Sequence, residues 1–217
     1  MHPEVERANE DFFNDPTTEH LFYTSEAQET ARLATAAMLK AVPFDKLKTV
    51  VMDFACGVGL ISQGLASNAK SIIGVDISQR MVDIYNNDAK EQNLFPNERK
   101  AVRVDRLVEN EIQLEGMSFD VIVCASSYHH FPSIVDVTKV LASYLKSGGS
   151  LLVVDMVKGE YPVLQTYHQV AHKGGFDAED MRMAFEAAGL HNFSFAEAAT
   201  IEFAGHPVTM FLASGER

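Results

Sequence analysis

Cysteine is scarce: the 217 residues contain two, Cys56 and Cys124, each inside an apolar, strand-like run. Thiols so placed argue against a disulfide framework and read as reduced cysteines of a cytoplasmic protein. Basic residues are also few. Lys and Arg number 18 against 30 Asp and Glu, a net charge of -12, which leaves nothing to neutralise phosphates and argues against a nucleic-acid partner. No apolar run approaches the ~20 residues of a membrane span. The opening MHPEVERANEDFF is acidic and polar, where a secretory leader would be basic and then apolar. The expectation is a soluble, intracellular chain with no membrane contact. Repeats, low-complexity tracts and linker-like composition shifts are missing as well, and 217 residues suit one domain with a sizeable core.

What is present is an alternation of short apolar strands and helices. Hydrophobic residues make up 47% and charged residues 22%, an ordinary globular balance. Residues 3–40 hold two helical patterns, the second from Ser25 to Lys40 with Ser25 as its expected N-cap. Between them lies NDPTTEHLFYT. From Thr49 onward the strands TVVMDFAC, SIIGVDIS, AVRVD, FDVIVCAS and GSLLVVDMV are separated by helices at LISQGLASN, QRMVDIYNNDAKEQN and SIVDVTKVLASYLK, with only the third and fourth strands lacking one between them. Such alternation predicts an α/β fold, a doubly wound parallel sheet covered on both faces. The helix DAEDMRMAFEAAG is followed by two strands, NFSFAEAATIEF and VTMFLASG. The AGHP between them leaves no room for a crossover helix, so the last two strands should be antiparallel neighbours.

The turn after the first long strand reads DFACGVG. A turn of this kind lets a ligand approach the backbone and aims free N–H groups from the next helix. A dinucleotide fingerprint, G-x-G-x-x-G, requires a third glycine where Ser62 stands. Counted from Asp53, the stretch is D-x-G-x-G-x-G with alanine, Ala55, in place of the first glycine and Gly57 and Gly59 retained.

DFACGVG resembles the first motif of class I S-adenosylmethionine-dependent methyltransferases. GVDIS, VDRL, FDVIVCASSYHHF and LKSGGSLLVVDMV are similar to the segments that follow it in that family, and the likeness spans roughly residues 45–215. Within the family it leans toward the small-molecule branch typified by ubiquinone and menaquinone biosynthesis enzymes. The resemblance implies a seven-stranded Rossmann-like sheet and S-adenosyl-L-methionine as cofactor. By the same resemblance Asp53 would hold the methionine amine, and Ala55, Gly57 and Gly59 would shape the turn beneath the methionine tail. Asp76 would accept the ribose hydroxyls, with Ile77 and Met81 beside the adenine. Asp105 and the backbone at Arg106 would meet the adenine edge, and backbone carbonyls at Cys124 and Ala125 would close the site. The methyl group of Ala55 is expected to be accommodated at a negative φ.

The transfer is an in-line displacement in which the protein supplies alignment, water exclusion and, where the acceptor needs it, a base. His129 and His130 follow the fourth strand at its carboxyl end and are the catalytic candidates, inseparable at this level. His168 and His172, four apart, would share a helix face and line the acceptor pocket; a third metal ligand is not evident, so no metal is expected. Asp155 closes the fifth strand and should point to the pocket mouth. Residues 1–44 read as a helical lid over a core of 45–217, with Phe12, Phe13, Phe22 and Tyr23 as candidate aromatic cover for a sulfonium and the Tyr23 hydroxyl as a cofactor contact. After the fourth strand neither a D/N/S-P-P-Y/F motif nor a Pro-Cys nucleophile occurs, so the expected acceptor is a small molecule. Two alternatives stay open: an NAD(P)-dependent oxidoreductase, and a non-catalytic S-adenosylmethionine-binding partner protein. The acceptor atom and oligomeric state are not legible.

Overall fold

The computed structural model describes residues 3–109, 111–114, 116–203 and 205–217. Among these residues seven strands form a single sheet in the order β3-β2-β1-β4-β5-β7-β6. They are β1 (Val50–Phe54), β2 (Ser71–Asp76), β3 (Arg99–Arg103), β4 (Phe119–Ala125), β5 (Leu145–Met156), β6 (His191–Phe203) and β7 (His206–Glu216). All neighbouring pairs among the first five are parallel, whereas β7 runs antiparallel to both β5 and β6. The antiparallel terminal pair expected from the short AGHP connection is present.

Period-two alternation explains why the central strands are apolar throughout. Met52, Ile122, Cys124, Leu151 and Val153 face one cluster with Ile134 and Leu141 of α5 (Ile134–Tyr144) and Met181 and Phe185 of α6 (Ala178–Ala187). Val51, Val121, Val123, Leu152 and Val154 face the other, with Ala34 and Met38 of α2 (Ser25–Ala41) and Ile61 and Leu65 of α3 (Leu60–Leu65). The sheet is thus covered on both sides. Between β2 and β3 lies α4 (Gln79–Glu91).

Several boundaries differ from the sequence reading. The cap of α2 is Thr24, whose hydroxyl accepts from the Ala27 N–H, and not Ser25; the extended φ/ψ of Thr24 suits a cap. β5 starts at Leu145, through the glycine pair. β3 starts and stops two residues early, so Asp105 lies beyond its end. His168 and His172 share no helix: a 3-10 segment ends at Thr166 and turns follow. The amino-terminal residues form α1 (Pro3–Asn14) and a 3-10 segment (Pro16–Tyr23). Together they lie over the carboxyl ends of the strands. Arg103 of β3 pairs with Glu10 at 2.8 Å, Arg80 pairs with Glu19, and Ser78 Oγ lies 2.8 Å from Asn14 Oδ1.

Candidate active site

The strand order reverses between β1 and β4, so the crevice at their carboxyl ends is the switch point where open α/β sheets bind ligands. Residues 55–59 turn there through three left-handed residues: Ala55 (φ 55°), Gly57 (φ 51°) and Gly59 (φ 90°). The negative φ expected at Ala55 is therefore incorrect. The first-glycine position of this turn demands a left-handed backbone whichever residue occupies it, and alanine holds it under strain. Ser126, immediately after β4, is the second such residue at the crevice, with φ 52°. A Cβ at Gly57 would come 3.0 Å from Phe22 Cε1, and one at Gly59 would come 2.5 Å from Tyr85 Cδ2. Phe22 thus lies against the turn, and the Tyr85 ring also crowds it.

Two aspartates flank the turn. Asp76 ends β2; its Oδ2 accepts the Gly57 N–H at 2.8 Å and its Oδ1 the Ser78 N–H at 2.9 Å. Burial raises its pKa, opposed by the N–H groups of Ser78, Gly57 and Ile77. Asp53, 2% exposed, has no such array. Its Oδ2 accepts from Ser62 Oγ at 2.6 Å, and Ser62 Oγ accepts from the Tyr85 hydroxyl at 2.8 Å. Burial is the largest influence and pushes the Asp53 carboxyl up to about 7, against the Ser62 hydrogen bonds and with the nearby Asp76 adding to the rise. Ser62, noticed in the sequence only as a missing glycine, and Tyr85, a plain helix residue, complete this chain.

The two histidines, inseparable by sequence, occupy different environments. His129 Nδ1 lies 2.9 Å from Asp155 Oδ1, and the His129 N–H donates to Asp155 Oδ2 at 3.2 Å. Asp155 is fully buried within β5 rather than at a pocket mouth. Burial pushes its pKa up, but electrostatic attraction to the His129 ring and hydrogen bonds from His129 and the Met156 N–H outweigh this and hold the carboxyl below its usual range. His130 Nδ1 lies 2.9 Å from the Gln169 carbonyl oxygen. Both partners are acceptors, so each ring carries its proton on Nδ1 and keeps Nε2 as the basic nitrogen. For His130, burial first and the neighbouring His129 second lower the pKa to about 3. The loop after β5 fastens onto this corner: the N–H groups of Ala171 and His172 both donate to the His129 carbonyl at 2.9 Å. His172 Nε2 sits 2.9 Å from the Phe131 carbonyl, whereas His168 is exposed.

Other sequence candidates are spread around the crevice. Met81 is buried, with its N–H on the capping Ser78 hydroxyl, and the Ile77 carbonyl accepts from Arg103 Nε at 3.1 Å. Asp105 is 78% exposed and ion-paired with Arg103, and Arg106 is exposed. Cys124 is buried in β4, and the Ala125 carbonyl accepts from Ser127 Oγ at 2.9 Å. Phe13 meets the His130 ring edge-on at 5.5 Å, and Phe12 meets Tyr167 at 6.4 Å. Tyr23 is 52% exposed, near Glu19, Asp88 and Glu91. Among the described residues no cluster of three or more potential metal ligands occurs, and no helix is long and apolar enough to cross a membrane.

Residues 52–151, from within β1 into β5, match the family model described as "Methyltransferase domain". Over that stretch, just under half of its length, the chain is similar to methyltransferases. An uncharacterized methyltransferase of Schizosaccharomyces pombe is 39% identical over 152 residues, covering 65% of this chain and 53% of the relative. The ubiquinone biosynthesis O-methyltransferase of Coxiella burnetii is 32% identical over 101 residues, 46% of this chain and 41% of that protein. The chain thus spans about half the length, or less, of these curated relatives. Among solved structures, the geranyl diphosphate C-methyltransferase of Streptomyces coelicolor superposes with a TM-score of 0.71 at 12% identity, over 98% of both chains. That level of identity speaks to the fold alone. The match to the domain runs through Asp53, the glycine turn, Asp76 and both histidines.

Proposed function

We propose that this chain is a methyltransferase that binds S-adenosyl-L-methionine at the β1–β4 crevice and methylates a small molecule on an oxygen that carries a removable proton. The residues present suit such a cofactor. A left-handed turn brings backbone close to a ligand, Gly57 is kept without a side chain, and two buried carboxylates stand on either side. Bound, the cofactor supplies an electrophilic methyl group on a sulfonium. Asp53 would hold its amino group and Asp76 its ribose, with Ile77, Met81, Asp105 and Arg106 toward the base and the carbonyls of Cys124 and Ala125 along the β4 side. Tyr23 is assigned to the cofactor's cover only; its hydroxyl stands among acids.

His129 is the base in this reading. Asp155 fixes its Nδ1–H, leaves Nε2 to take a proton from an acceptor hydroxyl, and gives the resulting imidazolium an anionic partner. His130 cannot share that role, because burial keeps it neutral and weakly basic; it is an edge contact for the acceptor instead. The apolar surroundings, Phe13 on His130 and Phe54 5.4 Å from Phe131, suit an acceptor with an apolar, planar body. Residues 3–44 act as a cover, held to β3 and α4 by ion pairs, that excludes water. Cytoplasmic residence, with two free and buried cysteines, belongs to the same proposal.

The observation that carries it is the pair of buried aspartates bracketing the left-handed turn. Calorimetry with S-adenosylhomocysteine should give a binding isotherm for the native chain and at least a tenfold weaker one for Asp76→Ala, since a charge-assisted ribose contact contributes about 1.5–3 kcal/mol. Equal heats for both, or none for either, would sink the assignment. Labelled methyl transfer across phenols, alcohols, thiols and amines then identifies the acceptor class.

A further inference from the structure

Asp53 differs from the other buried acids of the crevice. Asp155 faces an imidazole and Asp76 faces backbone N–H groups. The groups around Asp53 are Asp76 from β2, the thiols of Cys56 and Cys124 from the turn and β4, the backbone N–H and hydroxyl of Ser62 from α3, and the Tyr85 hydroxyl from α4. None is a cation. A buried carboxylate without countercharge is costly unless hydrogen bonds compensate, and here, beside the Ser62 N–H, they come from a chain of hydroxyls of fixed direction. Each hydroxyl has one proton. Tyr85 gives its proton to Ser62, and Ser62 gives its own to Asp53, over 2.8 and 2.6 Å.

The far end of the chain is built with equal care. A Cβ at Gly74 would come 3.0 Å from Tyr85 Cε2 and one at Gly59 2.5 Å from its Cδ2, so two glycines make room for this ring. Arg99, also buried, lies over the ring with its guanidinium 5.3 Å from the centroid and is paired with Asp88. A cation on the ring strengthens the phenol as a donor. Filling space under the turn would need only a phenyl ring; the hydroxyl needs another reason.

We propose that Ser62 and Tyr85 are positioning residues for cofactor binding: their hydroxyl relay holds the Asp53 carboxylate in the acceptor state that the ammonium group of the cofactor requires. The inference rests on the assignment of Asp53 to that ammonium. The cofactor then supplies the one cation that this carboxylate lacks. Burial already drives Asp53 up to about 7; without the relay it holds its proton to higher pH still, and a protonated Asp53 attracts an ammonium poorly.

The test compares two ligands by calorimetry: S-adenosylhomocysteine, which carries the ammonium, and 5′-methylthioadenosine, which lacks the amino-acid tail. Tyr85→Phe, which keeps the ring, should weaken the first about fivefold, the worth of one hydrogen bond, and Ser62→Ala about tenfold. Both should leave the second within twofold. The double variant should be no weaker than Ser62→Ala, because Tyr85 acts through Ser62. In each variant the acid-side loss of S-adenosylhomocysteine affinity should begin at higher pH than in the native chain. Equal weakening of both ligands, or none, overturns the relay and leaves a packing role. Failure of the native chain to bind either ligand overturns the cofactor assignment itself. If Tyr85→Phe does not fold, Ser62→Ala carries the same comparison.

Discussion

Replacing Ala55 by glycine should stabilise the protein. An L-residue held left-handed costs about 1–2 kcal/mol relative to its preferred wells, and Ala55 sits at φ 55°. Glycine removes that cost but loses more backbone entropy on folding, roughly 0.5–1 kcal/mol. The difference is a net gain of about 0.5–1 kcal/mol. At this chain length each kcal/mol moves Tm by about 2–4 °C, so Ala55→Gly should melt about 1–4 °C higher in calorimetry and unfold at higher urea with an unchanged slope. Gly57→Ala is the matched opposite. It places a methyl group on a residue at φ 51° and 3.0 Å from the Phe22 ring, and should lose about 1–2 kcal/mol. Lower stability of Ala55→Gly by 0.5 kcal/mol or more would mean that the alanine methyl makes contacts worth more than its strain, and the account of the turn would fail.

Two further outcomes follow from the acids. Asp155→Asn keeps the shape of the partner but not its charge, and its amide N–H₂ competes with the Nδ1–H of His129; kcat should fall about 10²- to 10³-fold while S-adenosylhomocysteine affinity stays within twofold, as single-turnover rates and calorimetry would show, and an unchanged kcat removes His129 from the chemistry. Asp53 has a raised folded pKa, about 7 against an ordinary 3.8, so the folded state keeps a proton that the unfolded state releases, and stability falls as pH rises from about 4 to 7 and is flat above. At ~1.36 kcal/mol per pH unit the loss is on the order of 4 kcal/mol. Asp53→Asn should recover much of it at pH 8 and little at pH 4 in denaturant titrations, and the same gain at both pH values would refute the linkage.

Much of the sheet was legible because alternation states it directly. Val51 and Met52 must face opposite layers, and both layers are apolar, so a strand buried on both faces and a doubly wound sheet follow. The short AGHP connection fixed the final hairpin for the same kind of reason: chain length forbids the alternative. Position along the chain also located Asp53, the turn and Asp76, because they end consecutive strands. Backbone conformation was less accessible. The φ of Ala55 is imposed by the path from β1 into α3, which residue identity alone does not report. The loop after β5 has no periodicity, so neither the placement of His172 nor the Gln169 carbonyl on His130 could be read from it.

Side-chain partnerships across the sheet were the least legible, yet one of them follows from topology once the strand order is known. Residues beyond the parallel register Cys124↔Val153 emerge side by side, so a histidine just past β4 meets an acid near the end of β5 although 26 positions separate them. The same geometry brings three aspartates to one crevice, and the chain satisfies them unequally. Asp155 gains an imidazole and Asp76 gains several amides, whereas Asp53 gains the Ser62 N–H and hydroxyl and keeps a raised pKa. A fold selected for stability alone would replace such a carboxylate with an apolar side chain. Its retention, beside a turn that already holds alanine in a strained conformation, locates the unmet electrostatic demand of the protein at the carboxyl end of β1, where a cationic ligand would meet it.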